Sequence, residues 1–297
     1  MATSGSTNYS TTRNSLITQA LRKIGRIGEG DTPSSDQITQ VADSLNMIIK
    51  EWSAEGMPLW VLKDAYILPN SGTSSFATTS HIAHSYVSTT LSAAASAGAT
   101  SLTVTSITGI SNGDNIGIEL SNGDMDWTTV NGVPAGSTVV ITTGLSTACS
   151  SGAYIYTYAT VDRIVHRPID LRIAWRRDST NNNNRTPINV ISYEEYLRFS
   201  DATSEGTPVH IAYLNTISGG TFYIYPRFSD GKSVIGATYQ RPFEDFDTST
   251  DEPDIPQEFY RSLVWQLAYD ISPDYGVPLK ERQLLLHFLF RLLPFGK

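Results

Sequence analysis

The sequence predicts an α+β fold: an α-helical bundle formed by N- and C-terminal helices, a mixed β region, and an inserted small antiparallel β-barrel or sandwich. Three observations carry this expectation. Apolar residues recur at helical spacing near both ends, at Leu16, Ile17, Ala20, Leu21 and Ile24, and again at Phe259, Leu263, Leu267 and Ile271. Between about residues 80 and 160 they alternate with polar residues at period two, and Asn-Gly pairs punctuate the runs. From about 161 to 240, short strand patterns surround one helix-start signal.

The first helix is expected from Thr12 to Ile24, stopped by Gly25 and Gly28. Thr32 is placed as the cap of the second, with Pro33 at its first position. Its apolar stripe is Ile38, Val41, Ala42, Leu45, Ile48, Ile49 and Trp52, and Gly56 and Pro58 end it. Two amphipathic helices joined by a short loop read as an antiparallel pair. A strand from Val61 to Leu68 then meets a turn at Pro69-Asn70-Ser71-Gly72.

In the central region Leu102 and Val104 alternate, as do Ile116, Ile118 and Leu120, then Val139 and Ile141, then Tyr154, Tyr156 and Tyr158. Asn112-Gly113, Asn122-Gly123 and Asn131-Gly132 mark turns. Five or six strands inserted as a unit are expected. Beyond it, Ile169–Trp175 and Ile188–Ile191 are strands separated by an exposed polar loop, Asn181 to Asn184. Ser192 and Glu195 have the spacing of a capping box and predict a short helix through Tyr196 and Leu197. Val209–Leu214, Phe222–Tyr225 and Val234–Tyr239 are further strands, and Pro253 and Pro256 introduce a helix over 257–271. The expected organisation is a body of residues 1–79 and 161–297 with an inserted β-module, 80–160.

The 297 residues carry a net charge of −8, which argues against a protein that reads nucleic-acid sequence through a basic face. The lone Cys149 excludes an internal disulfide and a multi-cysteine zinc site. Met1–Ser10 lacks an apolar core, so no secretory leader is expected, and no run is long enough to span a membrane.

Candidate chemistry is sparse. His81 and His84 are three apart but lie in Ser/Thr-rich, non-helical sequence without a third ligand nearby, so no metal site is expected. Glu194, Glu195, Asp114, Glu119, Asp124 and Asp126 are the carboxylates a glycosidase pair would draw on. Glu195 has a capping role beside Glu194, and the other four flank hairpin turns, where Asp is common for turn reasons alone. No nucleophile elbow, phosphate loop or dinucleotide fingerprint is present, and neither an enzyme nor a cofactor is expected. Tyr154, Tyr156 and Tyr158 would share a strand face, which suits sugar stacking but also an ordinary half-buried sheet. Arg172, Arg176, Arg177 and Arg185 form a local basic group, which reads equally as a solvated, salt-bridged face or as a candidate contact for DNA or an acidic neighbouring subunit.

The end of the chain stands out. Leu284, Leu285, Leu286, Phe288, Leu289, Phe290, Leu292, Leu293 and Phe295 are apolar in a twelve-residue stretch. Read as a helix from Pro278, it leaves one narrow polar stripe of Lys280, Gln283, His287 and Arg291. Each buried Leu or Phe is worth roughly 1.5–3 kcal/mol, so this surface is expected either inside its own domain or within a partner.

Ala20-Leu21-Arg22-Lys23-Ile24-Gly25, then Ala42-Asp43-Ser44-Leu45-Asn46 and Glu51-Trp52, resemble the head-to-tail adaptors of short-tailed bacteriophages, also called packaged-DNA stabilisation or tail tubular A-like proteins. Ile191-Ser192-Tyr193-Glu194-Glu195-Tyr196, Arg241-Pro242-Phe243-Glu244-Asp245-Phe246, Asp251-Glu252-Pro253-Asp254-Ile255-Pro256 and the helix bearing Trp265 resemble the same family. The resemblance implies a structural virion protein made in the bacterial host cytoplasm. Its subunits would form a ring, twelve-fold in the family, between the portal protein and the tail nozzle or other tail components. Double-stranded DNA would pass through without sequence recognition, and no membrane partner is implied. The apolar residues from Leu284 to Phe295 would then dock on the portal. The rival expectation is a receptor- or glycan-binding virion protein with the β-module as its binding head.

Overall fold

A computed structural model describes residues 9–54, 61–162, 167–180, 184–217 and 219–277. The chain divides into two compact units, one of Met1–Leu59 with Pro242–Lys297, the other of Trp60–Arg241. Among the described residues there are four α-helices: α1 (Arg13–Lys23), α2 (Ser35–Ala54), the single turn α3 (Tyr193–Tyr196) and α4 (Tyr260–Ile271).

The first unit is helical. Thr12 caps α1 by accepting from the Ser15 amide, and Gly25 follows the helix at φ +71°, a conformation open to glycine. The expected cap of α2 at Thr32 is corrected: the helix begins at Ser35. Ser34 Oγ accepts from the Gln37 amide, and the Gln37 side chain accepts from the Ser34 amide. A reciprocal pair satisfies two orphan donors where Thr32 could satisfy one, and that fixes the boundary. Leu16, Ile17, Ala20 and Leu21 of α1, Val41, Leu45, Ile48, Ile49 and Trp52 of α2, and Leu263, Val264, Leu267, Ala268 and Ile271 of α4 are buried where these three helices pack together. Phe259, expected in the core, is only half-buried, because residues 257–259 form a 3₁₀ turn that leads into α4.

Residues 242–256 are stitched onto this core. The Asn46 amide both donates to the Phe246 carbonyl (3.3 Å) and accepts from the Phe246 N–H (2.9 Å). Ser53 Oγ accepts from the Phe243 N–H, and Lys50 pairs with Asp245 at 2.5 Å. Trp52 Nε1 donates to Gln266 at 2.7 Å, and the Lys23 ammonium lies 4.2 Å from the Trp265 ring centre.

The second unit is built of strands. They run in order as β1 (Leu62–Ile67), β2 (Ser75–Ala77), β3 (Ile82–Ala83), β4 (Val87–Thr90), β5 (Ser101–Thr103) and β6 (Asn115–Glu119). Next come β7 (Met125–Thr129), β8 (Thr138–Val140), β9 (Tyr154–Tyr158), β10 (Asp170–Asp178) and β11 (Asn184–Ile191). The last are β12 (Glu205–Gly206), β13 (His210–Thr216), β14 (Gly219–Tyr225), β15 (Arg227–Phe228) and β16 (Ser233–Gln240).

Eight of these form one sheet in the order β2-β14-β13-β11-β10-β16-β1-β3. Its two edge strands are consecutive along the chain, and the sheet curls into a nearly closed barrel around Ile67, Phe76, Ile188, Ile211, Phe222, Ile224, Ile235 and Tyr239. All pairs are antiparallel except β11–β13, whose crossover contains α3. The Ser192–Glu195 capping box is complete: Ser192 Oγ accepts from the Glu195 N–H, and the Glu195 carboxylate accepts from the Ser192 N–H. Asn184, expected in a loop, instead opens β11 opposite Asp178. The hairpin partner draws it into the ladder despite its weak strand propensity.

The inserted module closes completely. Its strands pair as β4-β9-β6-β7 and as β5-β8. Bridges at Leu91–Val104 and Val130–Ile141 join the two sets on both sides, giving a six-stranded antiparallel ring without an edge. Leu102, Val104, Ile116, Ile118, Val139, Ile141 and Ile155 fill it. The β6–β7 hairpin turns at Asn122-Gly123, with Gly123 at φ +90° and the Leu120 N–H on the Asp124 carbonyl at 2.9 Å.

Candidate functional site

Strand alternation settles what each singled-out residue faces. In β9, Ile155 points into the small barrel while Tyr154, Tyr156 and Tyr158 point out of it, toward the larger barrel. Tyr156 is fully buried; its hydroxyl donates to the Gly231 carbonyl at 2.7 Å and lies 2.9 Å from Ser179 Oγ. Tyr154 donates to the Ser179 carbonyl at 3.3 Å, and Trp127 Nε1 donates to the Pro69 carbonyl at 3.1 Å. Together with Leu68, Ala83, Met125 and Val234 these rings form a third core between the two barrels. Burial pushes the Tyr156 hydroxyl far above the ordinary phenol range. The tyrosine ladder is therefore an internal joint and not an exposed stacking platform.

Several of the carboxylates accept hydrogen bonds within the fold, Asp126 and Glu119 from partners distant in sequence instead of within a turn. Asp114 accepts from the Ser111 N–H, Asp126 from the Ser146 N–H and hydroxyl, and Glu119 from the Tyr154 N–H. His84 meets the Asp64 carbonyl through Nδ1, and His81 packs 4.6 Å from the Trp127 ring. Among the described residues no three His, Cys, Asp or Glu side chains are grouped to hold a metal ion. Burial pushes the Cys149 thiol up to about 11, with Asp126 adding to the shift. The thiol is an inert core group.

The four arginines do not share one face. Ala174 of β10 and its partner Ile188 of β11 point into the large barrel. Arg176 has the same parity and lines a cavity of about 150 Å³ with Asp178, Asp230 and Lys232. Trp175 and Arg177, opposite Pro187 and Arg185, lie on the outer face. Arg177 reaches the small barrel, donating to the Tyr86 hydroxyl at 3.1 Å. Despite that bond, burial keeps the Tyr86 hydroxyl above its ordinary value.

The rest of the outer face is open and forms a groove of about 680 Å³ lined by Asp64, Arg172, Ile173, Trp175, Arg185, Pro187, Asn189 and Thr238 among others. Trp175 lines it, and its indole lies over Gly236, where a side chain would collide with the ring. Arg185 stacks on that indole, 5.2 Å from its centre. Asp64 is fixed by the Thr238 hydroxyl at 2.6 Å, and Arg172 bonds Gln240 and pairs with Asp170 at 3.4 Å. Ile173 is 58% exposed on the same face. The groove joins apolar lining to fixed charge, which suits a protein segment better than a small metabolite.

Sequence reasoning found two groove arginines and missed the groove. The available signal was the pairing of a Trp-x-Arg strand with an Arg-x-Pro strand, whose register only a hairpin defines. The predicted docking residues Leu284, Leu285, Leu286, Phe288, Leu289, Phe290, Leu292, Leu293 and Phe295 lie outside the described residues. No helix among the described residues is long and apolar enough to cross a membrane. Compared with known proteins, the chain matches no family model and no curated protein.

Proposed function

We propose that this protein is a structural component of a bacteriophage particle. In this reading it is a head-to-tail adaptor whose copies form a ring between portal and tail, extend the DNA channel and help retain packaged DNA. One observation carries the reading. The segments that resemble the adaptor family at the two ends of the sequence, some 200 residues apart, meet in a single core. Asn46 holds Phe246, Lys50 pairs with Asp245, Trp52 bonds Gln266 of α4, and Lys23 covers Trp265. Residues that build one packed element are expected to touch in this way.

Two further points favour a structural role. Of the carboxylates that a hydrolase could draw on, Asp114 and Glu195 accept in a turn and a cap, and Asp126 and Glu119 accept from Ser146 and Tyr154. The net charge of −8 suits a conduit that lets phosphates slide, since each neutralised phosphate adds grip. The glycan-binding alternative loses its aromatic ladder, because Tyr156 and Tyr158 are buried between the barrels.

Electron microscopy of the protein mixed with the portal protein of the same phage tests the reading, the expected product being a ring capping the portal. A chain cut before Leu284 should keep its described fold and fail to join. Normal assembly of that truncated chain would remove the docking role from the C-terminal apolar residues.

A further inference from the structure

The open groove on the outer face of the large barrel is built as a recognition surface. Trp175 is immobilised against Gly236, so little conformational freedom remains to be lost on binding. Arg185 is held over the indole and makes no carboxylate bridge among the described residues, and Ile173, two residues from Trp175 on β10, stands more than half in water. Trp and Arg anchors set among apolar neighbours are the side chains that dominate protein interfaces. The cation on this platform calls for a carboxylate-bearing occupant.

The same chain carries one. Between residues 244 and 258 there are seven Asp or Glu residues and no Lys or Arg. This stretch is preorganised: Asp251 accepts from the N–H groups of Asp247 and Thr248, and Arg13 N–H donates to the Asp251 carbonyl at 2.8 Å. Asp247 and Glu252 stand exposed on it. Arg172 is paired with Asp170 and Asp64 with Thr238, so the unbridged Arg185 on Trp175 is the cation that this fixed acidic surface complements in charge and in rigidity.

We infer that the Arg185–Trp175 groove of one copy receives the acidic surface around Asp247 and Glu252 of a second copy. The contact is heterologous, since two different patches meet, and repeated contacts of that kind generate a ring when the rotation closes. The inference rests on the ring reading above and supplies it with a subunit contact.

Sedimentation velocity of the full chain over a range of concentration and salt tests it. Self-association is expected at low salt, weakening as salt rises. Arg185→Glu, and separately Asp247→Lys with Glu252→Lys, should each weaken it by about tenfold or more while leaving the circular dichroism unchanged. An equimolar mixture of the two variants should recover association, because the reversed charges meet again across copies. Association untouched by Arg185→Glu overturns the groove contact and leaves the ring reading standing on another surface. Loss in each variant without recovery on mixing overturns the acidic surface of a second copy as occupant, in favour of a contact within one chain or a different partner. A chain that stays monomeric throughout overturns the contact as well, and the portal experiment then decides the ring by itself.

Discussion

Two glycines show how much a single atom decides. Gly236 and Gly117 have ordinary strand dihedrals, yet a Cβ at either position would strike an indole, Trp175 in the first case and Trp127 at 2.6 Å in the second. Gly236→Ala should cost about 1–3 kcal/mol through overpacking, read as a lower denaturation midpoint, and should also displace the Trp175 fluorescence. Gly72, with open space around it at φ +72°, carries no such packing constraint. Cys149 gives a second residue-scale expectation. Its thiol is raised to about 11 from an ordinary 9.0, so below pH 9 it is protonated in both states and its contribution to stability is complete. Between pH 9 and about 11 the unfolded chain releases that proton first, and stability falls. A thiol-directed alkylating reagent at pH 8 should label Cys149 only on unfolding. Rapid labelling of the native protein would contradict the burial of this side chain.

At the scale of elements, local chemistry was legible and its fine placement was not. The apolar spacing of α1 and α2 located both helices, and the Ser192–Glu195 capping box was readable because a cap is an interaction between residues three apart. Thr32, Ser34 and Ser35 all offer a hydroxyl near the start of α2, and sequence alone did not rank them. The reciprocal bonds of Ser34 and Gln37 rank them now. Ser34→Ala should therefore destabilise the helical unit by about 1 kcal/mol, whereas Thr32→Ala should be nearly neutral, as urea titrations of the two variants would reveal. In the barrel, Asn122-Gly123 was legible as a hairpin because its two strands are adjacent in sequence. Closure through Leu91–Val104 and Val130–Ile141 was not, since nothing local marks which strands meet last.

For the molecule as a whole, connectivity predicts how the units depend on the chain. The strand unit is continuous from Trp60 to Arg241, while the helical unit needs both Met1–Leu59 and Pro242–Lys297. A fragment of residues 61–241 should therefore fold by itself, with strand-rich circular dichroism and one cooperative transition. Residues 9–54 expressed alone should remain largely unfolded, because α1 and α2 would expose the side chains that α4 buries. The two barrels should melt together, since Tyr156 ties the small one to Ser179 and Gly231 of the large one. Separate melting of the barrels in hydrogen exchange would contradict that joint.

What the sequence determined by itself is whatever depends on neighbours within a few residues: helical and strand periods, turns, a capping box, and with them the α+β class. The tertiary structure alone decided which outward faces are used. It buried the Tyr154–Tyr158 ladder between barrels, divided Arg176 from Arg177 and Arg185, and opened the groove beside Trp175. It also joined Asn46 to Phe246. The physical reason is that period and capping are fixed by backbone geometry over a turn or two. The occupant of an outward face is fixed by loop closures spanning tens to hundreds of residues, and no local propensity encodes them.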